Sequence, residues 1–234
     1  MSGTAQPIPG VTVFIGDDTP MGCQLMAAAL RRSRHKLTVV GSATDSAGIR
    51  DGLRQNQTNV AIISARLKEG ATAGFSVARE VRTSHPNTSI IMMLDSTERF
   101  MVIEAVRAGA SGVFSREERF ELLCKCVHVI SQGQIWVGNK ELRFIMDSLA
   151  QGSAQWAEPP ALAKGPNALT KREADLVTLV SEGLTNRDIS RQLNLSEHTV
   201  RNYLFRIFNK VGTSNRLELA LYALSRKRDD GEGN

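Results

Sequence analysis

The sequence is poor in the features that would place it in several large classes. Among its 234 residues there are three cysteines, Cys23, Cys124 and Cys126. An odd count without a C-x-x-C spacing excludes a disulfide framework and a zinc finger, and these thiols are expected to be buried or half-buried in helices. No apolar run approaches the ~18 residues that cross a bilayer, so no membrane span is expected. Met1–Gly10 lacks a basic segment followed by an apolar stretch, which makes the cytoplasm the expected compartment. Also missing are a glycine-rich phosphate loop, a metal-ligand cluster and a Ser/His/Asp arrangement. The four histidines, His35, His85, His128 and His198, are scattered and read as surface or capping residues. An enzyme is therefore not expected, and neither a cofactor nor a metal is called for.

What is present is ordinary for a globular chain. Hydrophobic residues make up 41% and charged residues 23%, which excludes wholesale disorder. The length suits one or two domains. The formal charge of +5 is unevenly spread. Residues 169–228 hold eleven Lys and Arg against six Asp and Glu, while the last six residues hold three acids and no base. A basic C-terminal quarter points to a polyanion partner, most simply nucleic acid.

Periodicity divides the chain. Short apolar runs recur at 11–15, 37–40, 60–63, 90–94 and 112–114, each followed by a helical pattern. Five such repeats predict an α/β fold, a doubly wound five-stranded parallel sheet of the flavodoxin-like kind covered on both faces. In an open sheet of that kind the functional site lies at the carboxyl ends of the strands. One more helical pattern covers 139–150. Residues 151–166, with three prolines and two glycines, read as a linker. The expected division is 9–134, a sheet domain; 135–168, a helix and linker; and 169–228, an all-α domain.

The C-terminal part has a specific order. Thr170 and Glu173 form a capping box, and Gly183 closes the first helix. Thr185-Asn186-Arg187-Asp188 opens a second helix, Asn194-Leu195-Ser196 makes a turn, and Ser196 caps a third helix running to about Val211. This is a helix-turn-helix. At about 100° per residue, Val200, Leu204, Ile207, Phe208 and Val211 share one side of the third helix. His198, Arg201, Asn202, Phe205 and Asn209 share the other, where the major groove of duplex DNA would lie. Arg201 suits guanine, Asn202 suits adenine, and Phe205 could meet a thymine methyl. Thr199, Lys210 and Arg206, with Ser196, Thr185, Asn186 and Arg187 at the helix starts, complete the candidate DNA face through phosphate contacts. A bundle with a merely solvated polar face is the bland alternative.

These residues also carry a resemblance. Leu169-Thr170-x-Arg172-Glu173, Gly183-Leu184-Thr185-Asn186-x-x-Ile189, Leu195-Ser196-x-x-Thr199-Val200-Arg201-Asn202-Tyr203 and Lys210-Val211 resemble the LuxR-type helix-turn-helix of NarL/FixJ-class response regulators. The resemblance implies that the third helix reads DNA and that a fourth, about 215–224, forms a dimer surface. Tyr203 and Phe205 depart from the usual residues of that pattern. Residues 11–132 resemble the receiver domain of the same regulators, through the five repeats, Asp17-Asp18, and Ala105 to Gly112. The resemblance implies an acid pair and a third-strand aspartate around Mg²⁺, with that aspartate as phosphoacceptor. It also implies a hydroxyl after the fourth strand and a lysine after the fifth. Here Asp17 and Asp18 match the pair, but Ser64, Leu94 and Arg116 stand at the other three positions.

Ser64 has an un-ionised hydroxyl and no neighbouring base in sequence. Losing a carboxylate removes a hard ligand from a Mg²⁺ site. Arg116 carries a permanent charge on a planar fork, and is expected to pair with Asp17 or Asp18 and stand in for the metal. Asp95 lies one residue out of register with the hydroxyl position. Asp17-Asp18 could equally be a helix cap. The expected function is a sequence-specific, DNA-binding transcriptional regulator, acting as a homodimer, whose degenerate pocket works without aspartyl phosphorylation. A conventional phosphorylation-switched regulator and a protein-interaction adaptor are the alternatives. A protein partner or a small ligand at the receiver stays open as the source of control.

Overall fold

The structure is a computed structural model and describes residues 10–150, 169–213 and 216–229. The apolar runs form β1 (Val11–Gly16), β2 (Leu37–Ala43), β3 (Val60–Ser64), β4 (Ser89–Leu94) and β5 (Gly112–Ser115). They pair in parallel in the order β2-β1-β3-β4-β5. Parallel neighbours need crossover connections, which α1 (Pro20–Arg31), α2 (Ser46–Gln55), α3 (Ala73–Ser84) and α4 (Arg99–Arg107) supply; α5 (Phe120–Ser131) follows β5. The expected doubly wound sheet is what forms. Its strand order reverses between β1 and β3, which places a crevice at their carboxyl ends.

Successive strand residues point to opposite faces, and both faces are filled. Ala61 and Ile63 join Phe14, Met92 and Val113 under α2, α3 and α4. Val60 and Ile62 join Val13, Ile15, Ile91 and Phe114 under α1 and α5. Every residue of β3 is buried, which is why that strand reads as an unbroken apolar run. Cys23 and Cys126 are buried and Cys124 is half-buried, as expected.

The chain after α5 stays on the sheet. The Trp136 N–H donates to Ser111 O at 3.1 Å, and the Val113 N–H donates to Trp136 O at 2.9 Å, so Trp136 pairs beside β5. Helix α6 (Asn139–Ala150) then sets the fully buried Ile145 into the cluster it shares with α4. The expected linker at 151–166 lies outside the described residues.

The C-terminal helices are α7 (Lys171–Ser181), α8 (Asn186–Leu193), α9 (Glu197–Val211) and α10 (Arg216–Asp229). Both capping boxes form, Thr170 with Glu173 and Thr185 with Asp188, and the Ser196 hydroxyl caps α9 by accepting the Thr199 N–H at 3.0 Å. Asn194 takes the left-handed conformation that ends α8 and lets three residues reverse the chain. Leu176, Val180, Ile189, Val200, Leu204, Ile207 and Leu219 close the core. Phe208 packs on its rim with the Arg82 guanidinium of α3 5.3 Å above the ring. Among the described residues no helix is long and apolar enough to cross a membrane.

Candidate functional site

Two clusters hold the sequence-predicted residues. The first sits at the carboxyl ends of the strands. Asp17, directly after β1, is fully buried. Its carboxylate accepts the N–H and the hydroxyl of Thr19 at 3.2 and 3.1 Å. Thr19 is the residue that caps α1, its hydroxyl accepting the Gly22 N–H at 3.0 Å. The capping role therefore belongs to Thr19, and Asp17 orients it.

Arg116, directly after β5, fills the centre of this cluster. Its Nη2 donates to Asp17 Oδ2 and, at 3.0 Å, to Ser64 Oγ. Its Nε lies 2.8 Å from Asp95 Oδ1, and Nη2 lies 3.8 Å from Asp18 Oδ1. Arg66 approaches Asp95 from outside at 3.2 Å. Asp17, Asp18, Ser64 and Arg116 are thus brought together, and Leu94 is not. Leu94 is fully buried in the apolar layer under α2–α4. The pleat sends adjacent residues to opposite sides, so Asp95, one residue further, meets the guanidinium instead.

The electrostatics follow from this geometry. Partial burial disfavours the charge of Arg116, yet Asp17, Asp95 and Asp18 outweigh it and push its pKa up. Desolvation and the neighbouring Asp17 raise the Asp18 carboxyl above its usual range, against the pull of Arg116. The residues present do not fit a divalent cation. The end of β3 offers a hydroxyl in place of a carboxylate, and a permanent cation already occupies the Asp17 oxygen. No group of three or more metal-capable side chains occurs among the described residues. Ser64 is 1% exposed, so its hydroxyl faces the guanidinium and not solvent.

The second cluster is the helix-turn-helix. His198, Arg206, Asn209 and Arg187 are exposed, and Thr199, Arg201, Asn202 and Phe205 are half-buried. Several candidate residues already have partners. Lys210 donates to Glu173 Oε2 at 2.7 Å, tying α9 to the α7 capping box. Burial alone would raise the Glu173 carboxyl, but Lys210 and Thr170 together hold it below its usual range. Arg206 lies 5.8 Å from the Tyr203 ring centre. Thr185 and Ser196 spend their hydroxyls on caps.

Part of this face meets the receiver-like sheet domain. Arg201 donates to Ser131 O at 3.0 Å, at the end of α5. Asn186 is 3% exposed, and its N–H donates to Gln132 O at 3.1 Å. Arg82 donates to Thr213 O at 2.9 Å. The start of α10, expected as a dimer surface, is buried here: Leu217 joins the α2–α4 cluster and Arg216 donates to Asn186 Oδ1 at 3.0 Å. Arg82, Arg216 and residues 131–133 were not anticipated as site residues. Contacts across tens of residues leave no mark in local periodicity.

Comparison with known proteins agrees with both halves. Residues 13–128 match the family of response regulator receiver domains, and residues 167–223 match the bacterial regulatory proteins of the luxR family. The chain is 30% identical over 200 residues to the DNA-binding transcriptional activator DevR/DosR of Mycobacterium tuberculosis, covering 85% of this chain and 88% of that one. It is 25% identical over 216 residues to the response regulator UvrY of Escherichia coli K12, covering 92% and 94%. A solved structure of the RcsB response regulator of Salmonella typhimurium has the same fold, with a TM-score of 0.53 at 20% identity over 92% of this chain and 98% of that one. A receiver domain of parallel βα repeats, followed by a capped helix-turn-helix, makes this chain a member of the LuxR-family response regulators.

Proposed function

We propose that the protein regulates transcription by binding duplex DNA sequence-specifically as a homodimer, and that its receiver works without aspartyl phosphorylation. The observation that carries the DNA reading is α9 itself. It follows a three-residue turn, buries Val200, Leu204 and Ile207, and sets His198, Arg201, Asn202, Phe205, Arg206 and Asn209 on its other flank. That is the geometry of a helix whose first turns enter the major groove. Two such helices related by a twofold axis would read two half-sites.

The pocket supports the second part. Forming an acyl phosphate needs an ionised, accessible carboxylate at the end of β3, and Ser64 is a buried hydroxyl bonded to Arg116. Arg116 supplies permanently the positive charge that a bound metal would supply on demand. Control then passes to another input, a small ligand, a partner protein or the amount of protein made. Because Arg201 is held on Ser131 O, DNA reading requires α9 to leave the receiver.

Selection of a duplex from a random pool by the full chain tests the first part. The selected site should bind with a negative salt slope. Arg201→Ala should lose about 1–3 kcal/mol, roughly 5- to 150-fold in Kd. Unchanged affinity would remove Arg201 from the reading face. The same protein incubated with a phosphodonor separates the second part from a conventional switch that uses Asp17, Asp18 or Asp95.

A further inference from the structure

Between the receiver domain and α9–α10 lies a cavity of about 80 Å³. It opens at the amino end of β4, on the far side of the sheet domain from the Arg116 cluster. Three arginines line it, Arg82 from α3, Arg201 from α9 and Arg216 from α10, and among the described residues no Asp or Glu does. Among the described residues they donate to neutral acceptors: Thr213 O for Arg82, Ser131 O for Arg201, Asn186 Oδ1 and Leu184 O for Arg216. None of the three takes part in an ion pair among the described residues. Glu218 attracts the Arg82 charge. Arg216 is 7% exposed. Burial pushes the Arg82 and Arg216 guanidiniums down, the latter to about 10.

A buried cation bonded to neutral acceptors, as Arg216 is, is costly, and half-buried Arg82 and Arg201 add positive charge to the same space. The missing component is an anion. Planar forks approaching from three elements suit a group with several terminal oxygens, and phosphate is the group such forks bind best. Ser89 and Ser111 line the same space. We propose that this cleft is a binding site for a phosphate group, as free phosphate or as a phosphate monoester, whose occupancy holds α9 against the receiver. The site is separate from the DNA reading and would exist in a chain that bound no DNA. Where DNA is bound, the two ligands exclude each other, because Arg201 and Phe205 line the cleft and lie on the reading flank. By linkage, a phosphate ligand at about ten times its Kd lowers the apparent DNA affinity about tenfold.

Isothermal titration of the full chain, without DNA, tests this. The probes are inorganic phosphate and ribose 5-phosphate, with potassium chloride at matched ionic strength as the blank. Saturable one-to-one binding of either probe is expected, weakened at least tenfold in Arg82→Gln. Tighter binding of the monoester assigns the site to phosphate esters; equal or tighter binding of phosphate assigns it to the free anion. Circular dichroism and the urea midpoint of Arg82→Gln report on folding without reference to DNA. Should that variant not fold, Ser111→Ala serves, with a smaller loss expected. No saturable heat beyond the chloride blank, or undiminished binding in the folded variant, would overturn the proposal.

Discussion

One guanidinium at the end of β5 touches residues at the ends of three other strands: Asp17 after β1, Ser64 in β3 and Asp95 after β4. Arg116→Ala would leave fully buried Asp17 beside Asp18 with no counter-charge. Breaking a buried pair costs several kcal/mol, and the guanidinium is 31% exposed, so about 2 kcal/mol is expected by urea unfolding. Millimolar Mg²⁺ should restore part of that in the variant and nothing in the parent, because only the variant frees the carboxylates. Asp18 has the opposite sign. Its folded pKa is raised above 3.8, so the folded state holds its proton more tightly and stability falls as pH rises through the raised value. Asp18→Asn should therefore raise the Tm at pH 7 and leave it unchanged below about pH 3.8. Sequence placed Asp17, Asp18, Ser64 and Arg116 at strand ends, because a strand's end is visible where an apolar run stops. It put Leu94 at the pocket and Asp95 one residue out of register, whereas Asp95 is the one that enters, since one residue of register decides which side of the pleat faces the pocket.

Elements are held by devices of a few residues. The Thr170 hydroxyl accepts the Glu173 N–H, and Glu173 returns the bond to the Thr170 N–H at 2.8 Å. Thr170→Ala should cost about 1 kcal/mol in urea unfolding. Glu173 also holds Lys210, and its folded pKa lies below 4.5. Its contribution is complete above the unfolded value of 4.5 and is lost as pH falls through the lower folded one. Glu173→Gln should flatten the acid limb of the stability curve. These elements were legible because caps, apolar period and turn residues are local: Thr170, Thr185, Ser196 and Asn194 mark their helix ends within a few residues of the effect. The packing of α6 on α4 was not legible, because Ile145 names no partner in its own sequence neighbourhood.

The molecule as a whole is set by how α9 and α10 rest on the receiver. Gly133 sits at that contact with φ of +79°, a conformation that favours glycine. A Cβ there would come within 2.5 Å of the Asn186 side chain. Gly133→Ala should therefore loosen the contact, enlarging the radius of gyration by small-angle scattering and raising affinity for a selected operator. Unchanged scattering with unchanged affinity would mean that the contact does not restrain α9. No local pattern announces this arrangement, because Arg201 and Ser131 are 70 residues apart in the chain.

In the reading proposed above, this LuxR-family regulator keeps its receiver pocket closed around Arg116 and undergoes no phosphoryl step. The most direct test is the intact mass of the full chain after incubation with acetyl phosphate and Mg²⁺. The mass should stay unchanged; a stoichiometric gain of about 80 Da, the mass of one phosphoryl group, would mean that the receiver still takes one.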